Sequence, residues 1–323
     1  MSRLVSLGGW LILIGIALGV PSGIIAFLLY RSTPIGQQPD TLVAIGLALA
    51  IVLSVLAALI LVAGLVIYVV VPGSSRERAQ QDYGSHRTVF ACLALAIVAS
   101  LVFQGAYALL YSAVTGNALT VQVTSPTGSV SAIPSPVVIL VSVVTVEIAL
   151  LLVLWLRIIR PGVITWRDMG ITSQRLGRRI LAGIGGGFAV FVIVVVIELV
   201  LRQLGIEQTQ MQQFASIKQA STLQFILLLL AGGALAGFVE ESFFRGYVFR
   251  AYLAKKGVWQ AYLFSSLVFA LAHLYSPPSV VPIFAIGLTF AHIYRLNNSV
   301  VPTMIAHAMN NSVAFTALYF GQV

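Results

Sequence analysis

Charge is scarce in this chain. Of its 323 residues only 8% are charged while 59% are hydrophobic, against about a quarter charged in an average soluble domain. With a mean hydropathy of +1.02, an ordinary water-soluble domain is excluded. Cysteine is nearly absent: Cys92 lies in an apolar run with no second cysteine to pair with, which rules out intrachain disulfides and cysteine-based zinc sites. The short apolar/polar alternation of outer-membrane strands is missing too, and the apolar runs instead have the length of a helical bilayer crossing, about 20 residues. The expected fold class is all-α, a polytopic transmembrane helical bundle.

Nine apolar runs are candidate spans, at approximately 8–30, 42–71, 88–114, 136–157, 180–204, 222–253, 258–275, 279–294 and 299–320. The first exceeds the roughly 7 to 15 residues of a signal-peptide core, so a retained span bent near Pro21 is expected, with a cleaved signal as the alternative. The second and sixth exceed a single crossing and are expected to tilt or to extend beyond the bilayer. Short connections such as Tyr275-Ser276-Pro277-Pro278 and Arg295-Leu296-Asn297-Asn298 group the last four spans as antiparallel neighbours.

Acidic residues are scarcer still than basic ones, nine against 18. In a soluble chain that balance would suggest a nucleic-acid partner, but here the cations occupy the connections between apolar runs, and no nucleic acid is expected. With the N-terminus inside, 14 Lys and Arg fall on inner connections and three, Arg31, Arg202 and Lys218, on outer ones. Such a bias is the signature of topology and predicts nine spans, N-in and C-out. The 158–179 connection, rich in arginine, is expected on the anionic inner leaflet. The uncharged connection 115–135, rich in Thr, Ser, Gly and Pro, is expected as an exposed outer loop.

Polar residues inside the spans are costly and therefore informative. They are Glu147, Glu198, Glu240, Glu241, Arg245, His273, His292, His307 and the pair Asn310-Asn311. Glu198 stands four residues before Arg202, where an ion pair is expected. Glu147 has no local partner and is expected to pair across helices. His292 reads as interfacial and His86 as solvated. Glu241 and Arg245, acid before base at i,i+4, share a helix face, whereas Glu240 is turned about 100° away. With Glu241 neutralised by Arg245, Glu240 is the acid left to serve as a general base. A rise of about 1.5 Å per residue sets Glu240, His273 and Asn311 roughly 20 Å from the inner ends of their spans, with His307 one turn nearer.

These residues, as Glu240-Glu241-x-x-x-Arg245, Phe269-x-x-x-His273 and His307-x-x-x-Asn311 in order on successive apolar helices, resemble the CPBP intramembrane proteases, the group of Ras-converting CAAX prenyl proteases and bacteriocin self-immunity proteins. The resemblance covers roughly 222–315 and divides the chain into an N-terminal three-helix region, 1–135, outside the family core and a six-helix protease domain, 136–323. It implies an intramembrane endopeptidase acting on a membrane-associated peptide or protein within the lipid bilayer. Glu240 would activate water held with His273, His307 and Asn311 would stabilise the oxyanion, and Glu241 and Arg245 would support them. The expected setting is the cytoplasmic membrane of a bacterium or archaeon.

Three alternatives stay open at this level. The site could hold zinc on Glu240, His273 and His307, although the HExxH helix motif of zincins is absent and no cofactor is the preferred expectation. The acids and histidines could form the relay of a proton-coupled transporter, with Gly232-Gly233 as a break in the helix. Or the chain could be a non-proteolytic immunity or scaffold protein.

Overall fold

The computed structural model describes residues 2–32, 41–71, 76–115, 120–124, 130–206, 210–273 and 277–321. Its helices are α1 (Ser2–Ser32), α2 (Thr41–Val70), the short α3 (Arg76–Gln81), α4 (His86–Thr115), α5 (Pro136–Leu154) and α6 (Leu176–Gln203). They continue with α7, which runs unbroken over Thr222–Lys255, α8 (Val258–Ala272), α9 (Val280–Asn297) and α10 (Val301–Tyr319). The protein is a polytopic helical bundle. Seven of these helices are long and apolar enough to cross a membrane. The predicted spans seven and nine correspond to α8, 15 residues long, and to α10, whose 19 residues carry the histidine and asparagines.

Two of the expected boundaries move. The run expected to reach 275 ends as helix at Ala272, with His273 as its C-cap at φ −107°; 15 residues rise only about 22 Å, short of a full crossing. The expected turn at 275–278 lies partly outside the described residues. Within the connection 115–135, expected as an exposed outer loop, β1 (Thr120–Thr124) pairs antiparallel with β2 (Val130–Pro134), registered Thr120 to Pro134. Residues 116–119 and 125–129 of the connection are outside the described set. Helix α1 carries Pro21 in its interior.

Local chemistry starts the helices that matter. Ser135 accepts a hydrogen bond from the Val138 N–H, and Pro136 occupies the first turn, where its missing N–H costs nothing. Ser221 and Gln224 form a reciprocal capping box at the head of α7. Gly257, at φ +100°, makes the turn from α7 into α8.

The helices pair in sequence, α1 with α2, α2 with α4, α4 with α5 and α5 with α7, while α10 packs on α6 and α7, and α8 on α9. The larger of two buried clusters runs from Leu65 on α2 through Cys92 on α4 to Ala306 on α10, and a smaller one joins Ile139, Ile217, Leu228 and Phe315. Large apolar side chains such as Phe103, Leu181 and Phe188 face outward, as lipid contact requires.

The two ends of the bundle match the two sets of connections that the charge count separates. At one end Asp82 pairs with Arg157 at 3.1 Å, Lys255 reaches the carbonyls of Gln80 and Gln81, and Arg250 donates to the Asp168 carbonyl. There the Val300 N–H also bonds the Met169 carbonyl at 3.0 Å, so the 158–179 connection is tied to the bundle. The hydroxyl and backbone N–H of Thr165 hold the Asp168 carboxyl below the usual carboxylate range. At the other end Ser216 Oγ, in the 3-10 segment Gln210–Gln219, bonds the Pro134 carbonyl at 2.6 Å.

Close approach of α10 to α7 depends on glycine. A Cβ on Gly237 would lie 2.8 Å from the Met304 carbonyl oxygen, and one on Gly233 2.7 Å from Ser312 Oγ. This is the small-x-x-x-small contact by which membrane helices approach backbone to backbone. Gly237→Leu is therefore expected to push α10 away and to lower the melting temperature in detergent by several degrees, measured beside a lipid-facing control such as Leu181→Ala.

Candidate active site

Helix α7 is α-helical only in part. It widens into π-helix over Leu229–Leu235 and again over Ser242–Phe249, leaving a short α-helical segment, Ala236–Glu241, between them. The break considered at Gly232-Gly233 is thus a widening that keeps the helix continuous. A π-turn leaves a carbonyl without its usual partner, and such turns concentrate at functional sites. Here the Gly232 carbonyl accepts a hydrogen bond from Asn311 Nδ2 at 2.8 Å. The widened turns thus set Glu240 and Glu241 between α5, α8 and α10.

The two glutamates face different partners. Glu241 Oε1 accepts from Arg245 Nη1 at 2.7 Å and from His307 Nδ1 at 3.0 Å. Glu241 and Arg245 are fully buried and His307 nearly so. Arg245 also donates from Nη2 to the Gly287 carbonyl at 3.0 Å, tying α7 to α9. Its guanidinium lies 4.4 Å from the centre of the Phe269 ring and 5.1 Å from that of Phe290, within the range of a cation–π contact. The Phe269 position of the motif thus has a physical role, because the same ring also lies 4.6 Å from His273 and 5.9 Å from His307.

Glu240 turns instead to His273. Its Oε2 lies 3.3 Å from His273 Nε2, yet makes no hydrogen bond among the described residues. His273 Nδ1 donates to the Phe269 carbonyl at 2.8 Å, a contact that fixes the ring and aims Nε2 at the carboxylate. On α10, Asn310 Nδ2 donates to Asn311 Oδ1 at 3.2 Å. With one Nδ2 hydrogen directed to Gly232, Asn311 keeps its second hydrogen for another acceptor. The four residues expected to act together, Glu240, His273, His307 and Asn311, are thus gathered around α7 with Glu241 and Arg245 behind them.

The zinc alternative can be tested on its donors. His307 has given Nδ1 to Glu241 and stacks on Phe290 at 5.2 Å. Among the described residues no three His, Cys, Asp or Glu side chains are arranged to hold a metal ion. The Nε2 atoms of His307 and His273 and the Glu240 carboxylate are the atoms a metal would engage, and the Nδ1 contact of His307 with Glu241 is one that zinc-binding histidines also make.

The other polar residues of the spans meet their expectations in part. Glu147 is buried on α5, which packs against the part of α7 that carries Glu240, so its cross-helix neighbour is the site itself. Glu198 and Arg202 form no ion pair, although four apart, and Arg202 is exposed. His86, expected to be merely solvated, bonds the Tyr252 hydroxyl and meets the Phe264 ring at 4.6 Å. His292 is exposed and bonds the Tyr262 hydroxyl at 3.1 Å.

Comparison with known proteins bears on the same segment. No curated protein and no solved structure matches the chain. Residues 222–313, which carry all three motifs, match the family model described as type II CAAX prenyl endopeptidase Rce1-like. The segment that carries the site is therefore similar to the Rce1-like type II CAAX prenyl endopeptidases, in agreement with the resemblance of its motifs, over less than a third of the chain.

Proposed function

We propose that the protein is an intramembrane endopeptidase that hydrolyses a peptide bond of a membrane-associated substrate by glutamate-activated water, without a metal. The observation that carries this reading is the division of labour between adjacent carboxylates. Glu241 is engaged by Arg245 and His307, while Glu240 keeps an acceptor oxygen beside His273 Nε2. A water held between Glu240 and His273 would give one proton to Glu240 as its oxygen attacks the scissile carbonyl. Glu240 would then return that proton to the leaving amine, closing the cycle.

Negative charge on the attacked oxygen needs donors fixed before the reaction. Asn311 supplies the Nδ2 hydrogen that Gly232 does not use. His307 supplies Nε2 as the second donor, its ring held through Nδ1 by the Glu241 carboxylate at 3.0 Å. Glu241 and Arg245 thus act as supporting residues. Asn311→Ala is expected to lower kcat by about 10²- to 10³-fold with little change in KM, read from initial rates of peptide cleavage.

The substrate class follows from the setting: a peptide segment in the bilayer or at its edge, with a prenylated C-terminal tail as one candidate. The basic connections support an N-in, C-out arrangement of nine helices, and the membrane proposed is the cytoplasmic membrane of a bacterium or archaeon. The test is reconstitution into vesicles with a library of prenylated and transmembrane peptides, following new termini by mass spectrometry and proton flux in the same vesicles. New termini that Glu240→Gln abolishes, with no flux, are expected. Glu240-dependent flux without cleavage would replace the peptidase with a proton-coupled transporter.

A further inference from the structure

Glu147 stands on α5, a helix outside the segment that matches the family model. It is 3% exposed, and α5 packs against the part of α7 that carries Glu240. The two carboxyl groups stand on helices in contact, and each has an oxygen buried without a hydrogen-bond partner among the described residues, so the two charges would act on each other through a low-dielectric interior. Two ionised carboxylates repel in such a setting, and burial makes the doubly charged state costlier still. The arrangement therefore calls for a hydrogen between the two groups.

A second hydrogen follows on the other side of Glu240. His273 commits its Nδ1 hydrogen to the Phe269 carbonyl. A neutral ring would then point the Nε2 lone pair at the Glu240 carboxylate 3.3 Å away. A proton at Nε2 turns that repulsion into a charge-assisted contact. Counting both, the chain Glu147, Glu240, His273 holds two protons: Glu147 is neutral, Glu240 ionised and His273 cationic. The sum is zero, the state a low-dielectric interior favours.

We propose that Glu147 is a positioning residue that donates the proton of a neutral carboxyl to Glu240 and keeps the three-group chain electrically neutral. This rests on the reading of Glu240 as the base. Glu240 is the charged group that faces Glu147. Glu240 itself faces His273 from α8 and His307 from α10, with Glu241 and Arg245 on its own helix. On α4, which also packs on α5, the polar group in this region is Gln104, bonded to Ser142 and Thr145. Glu147 thus supplies a fixed donor that holds the carboxylate in orientation from α5, while His273 approaches it from α8.

The test uses the full chain with Glu147→Gln, whose amide keeps a donor, and Glu147→Leu, which suits an apolar position but has none. Both variants are expected to fold, as checked by thermal melting. Glu147→Gln should cleave within about threefold of the wild type. Glu147→Leu should lose about tenfold or more in kcat, and the acid limb of its kcat/KM profile should move to higher pH by about one unit, the scale of one lost charge-assisted hydrogen bond. Infrared spectroscopy should show the carbonyl stretch of a protonated buried carboxylic acid in the wild type and its loss in Glu147→Gln.

A side chain that merely packs would change the melting temperature and leave the pH profile in place, and that result overturns the proposal. So do equal losses in Glu147→Gln and Glu147→Leu. Absence of the infrared band overturns the shared proton whether or not any peptide is cleaved. A band in a wild type that cleaves nothing contradicts the peptidase reading instead, and leaves the shared proton standing.

Discussion

Glu240→Gln is expected to lower kcat for membrane-peptide cleavage by about 10²- to 10⁴-fold, the usual contribution of a general base, with KM nearly unchanged. The amide has the size and shape of the carboxyl, so α7 should fold as before and the melting temperature should move little. What the amide cannot do is take a proton from water. His273 would remain anchored through Nδ1 to the Phe269 carbonyl, and Asn311 through Nδ2 to that of Gly232. The loss would therefore report the missing base rather than a collapsed site. Initial rates across substrate concentration, taken with melting curves on the same preparation, check this. A variant that keeps more than about a third of the rate would remove Glu240 from the role assigned to it.

The second large effect is structural. Arg245→Met removes a fully buried cation whose carboxylate partner is fully buried as well. Breaking such a pair from one side strands the other charge and costs about 3 to 5 kcal/mol. Arg245 also holds the Gly287 carbonyl of α9 and sits among the Phe269, Phe290 and Phe244 rings, so its loss loosens α8 and α9 from α7. The double variant Glu241→Gln, Arg245→Met is expected to be more stable than Arg245→Met alone, because no charge is left unpaired. Melting temperatures of the two singles and the double form the cycle that decides it. A single variant as stable as the wild type would show that the pair is not what joins these helices.

Much of this arrangement is legible in the sequence because polar residues are so few. In a chain with 8% charged residues, each acid or histidine in an apolar run is a signal, and the spacing of Glu241 to Arg245 and of His307 to Asn311 places each pair on one helix face. The sorting of basic connections anticipates which loops meet at each end, as Asp82 meets Arg157 and Ser216 meets Pro134.

What was hidden is what depends on helix neighbours or on backbone register. The π-helical turns around Glu240 have no signature in apolar periodicity, so the carbonyl that receives Asn311 could not be foreseen. Glu147 looked like a lone acid because its partner lies on a helix 93 residues away in sequence, and only the packing of α5 on α7 brings them together. The same depth count that aligns Glu240 with His273 would have set Glu147, ten residues from Arg157, within about a turn of that layer. The i,i+4 rule failed for Glu198 and Arg202, where an exposed arginine at a helix end has other places to point.

The most direct test of the account is cleavage of a prenylated or transmembrane peptide by purified protein after exhaustive treatment with a strong chelator, beside untreated protein and Glu240→Gln. The account predicts equal rates with and without chelator and no cleavage by the variant. Cleavage that the chelator abolishes and added zinc restores would contradict it, and would place a metal where Glu240 and His273 are here proposed to hold water.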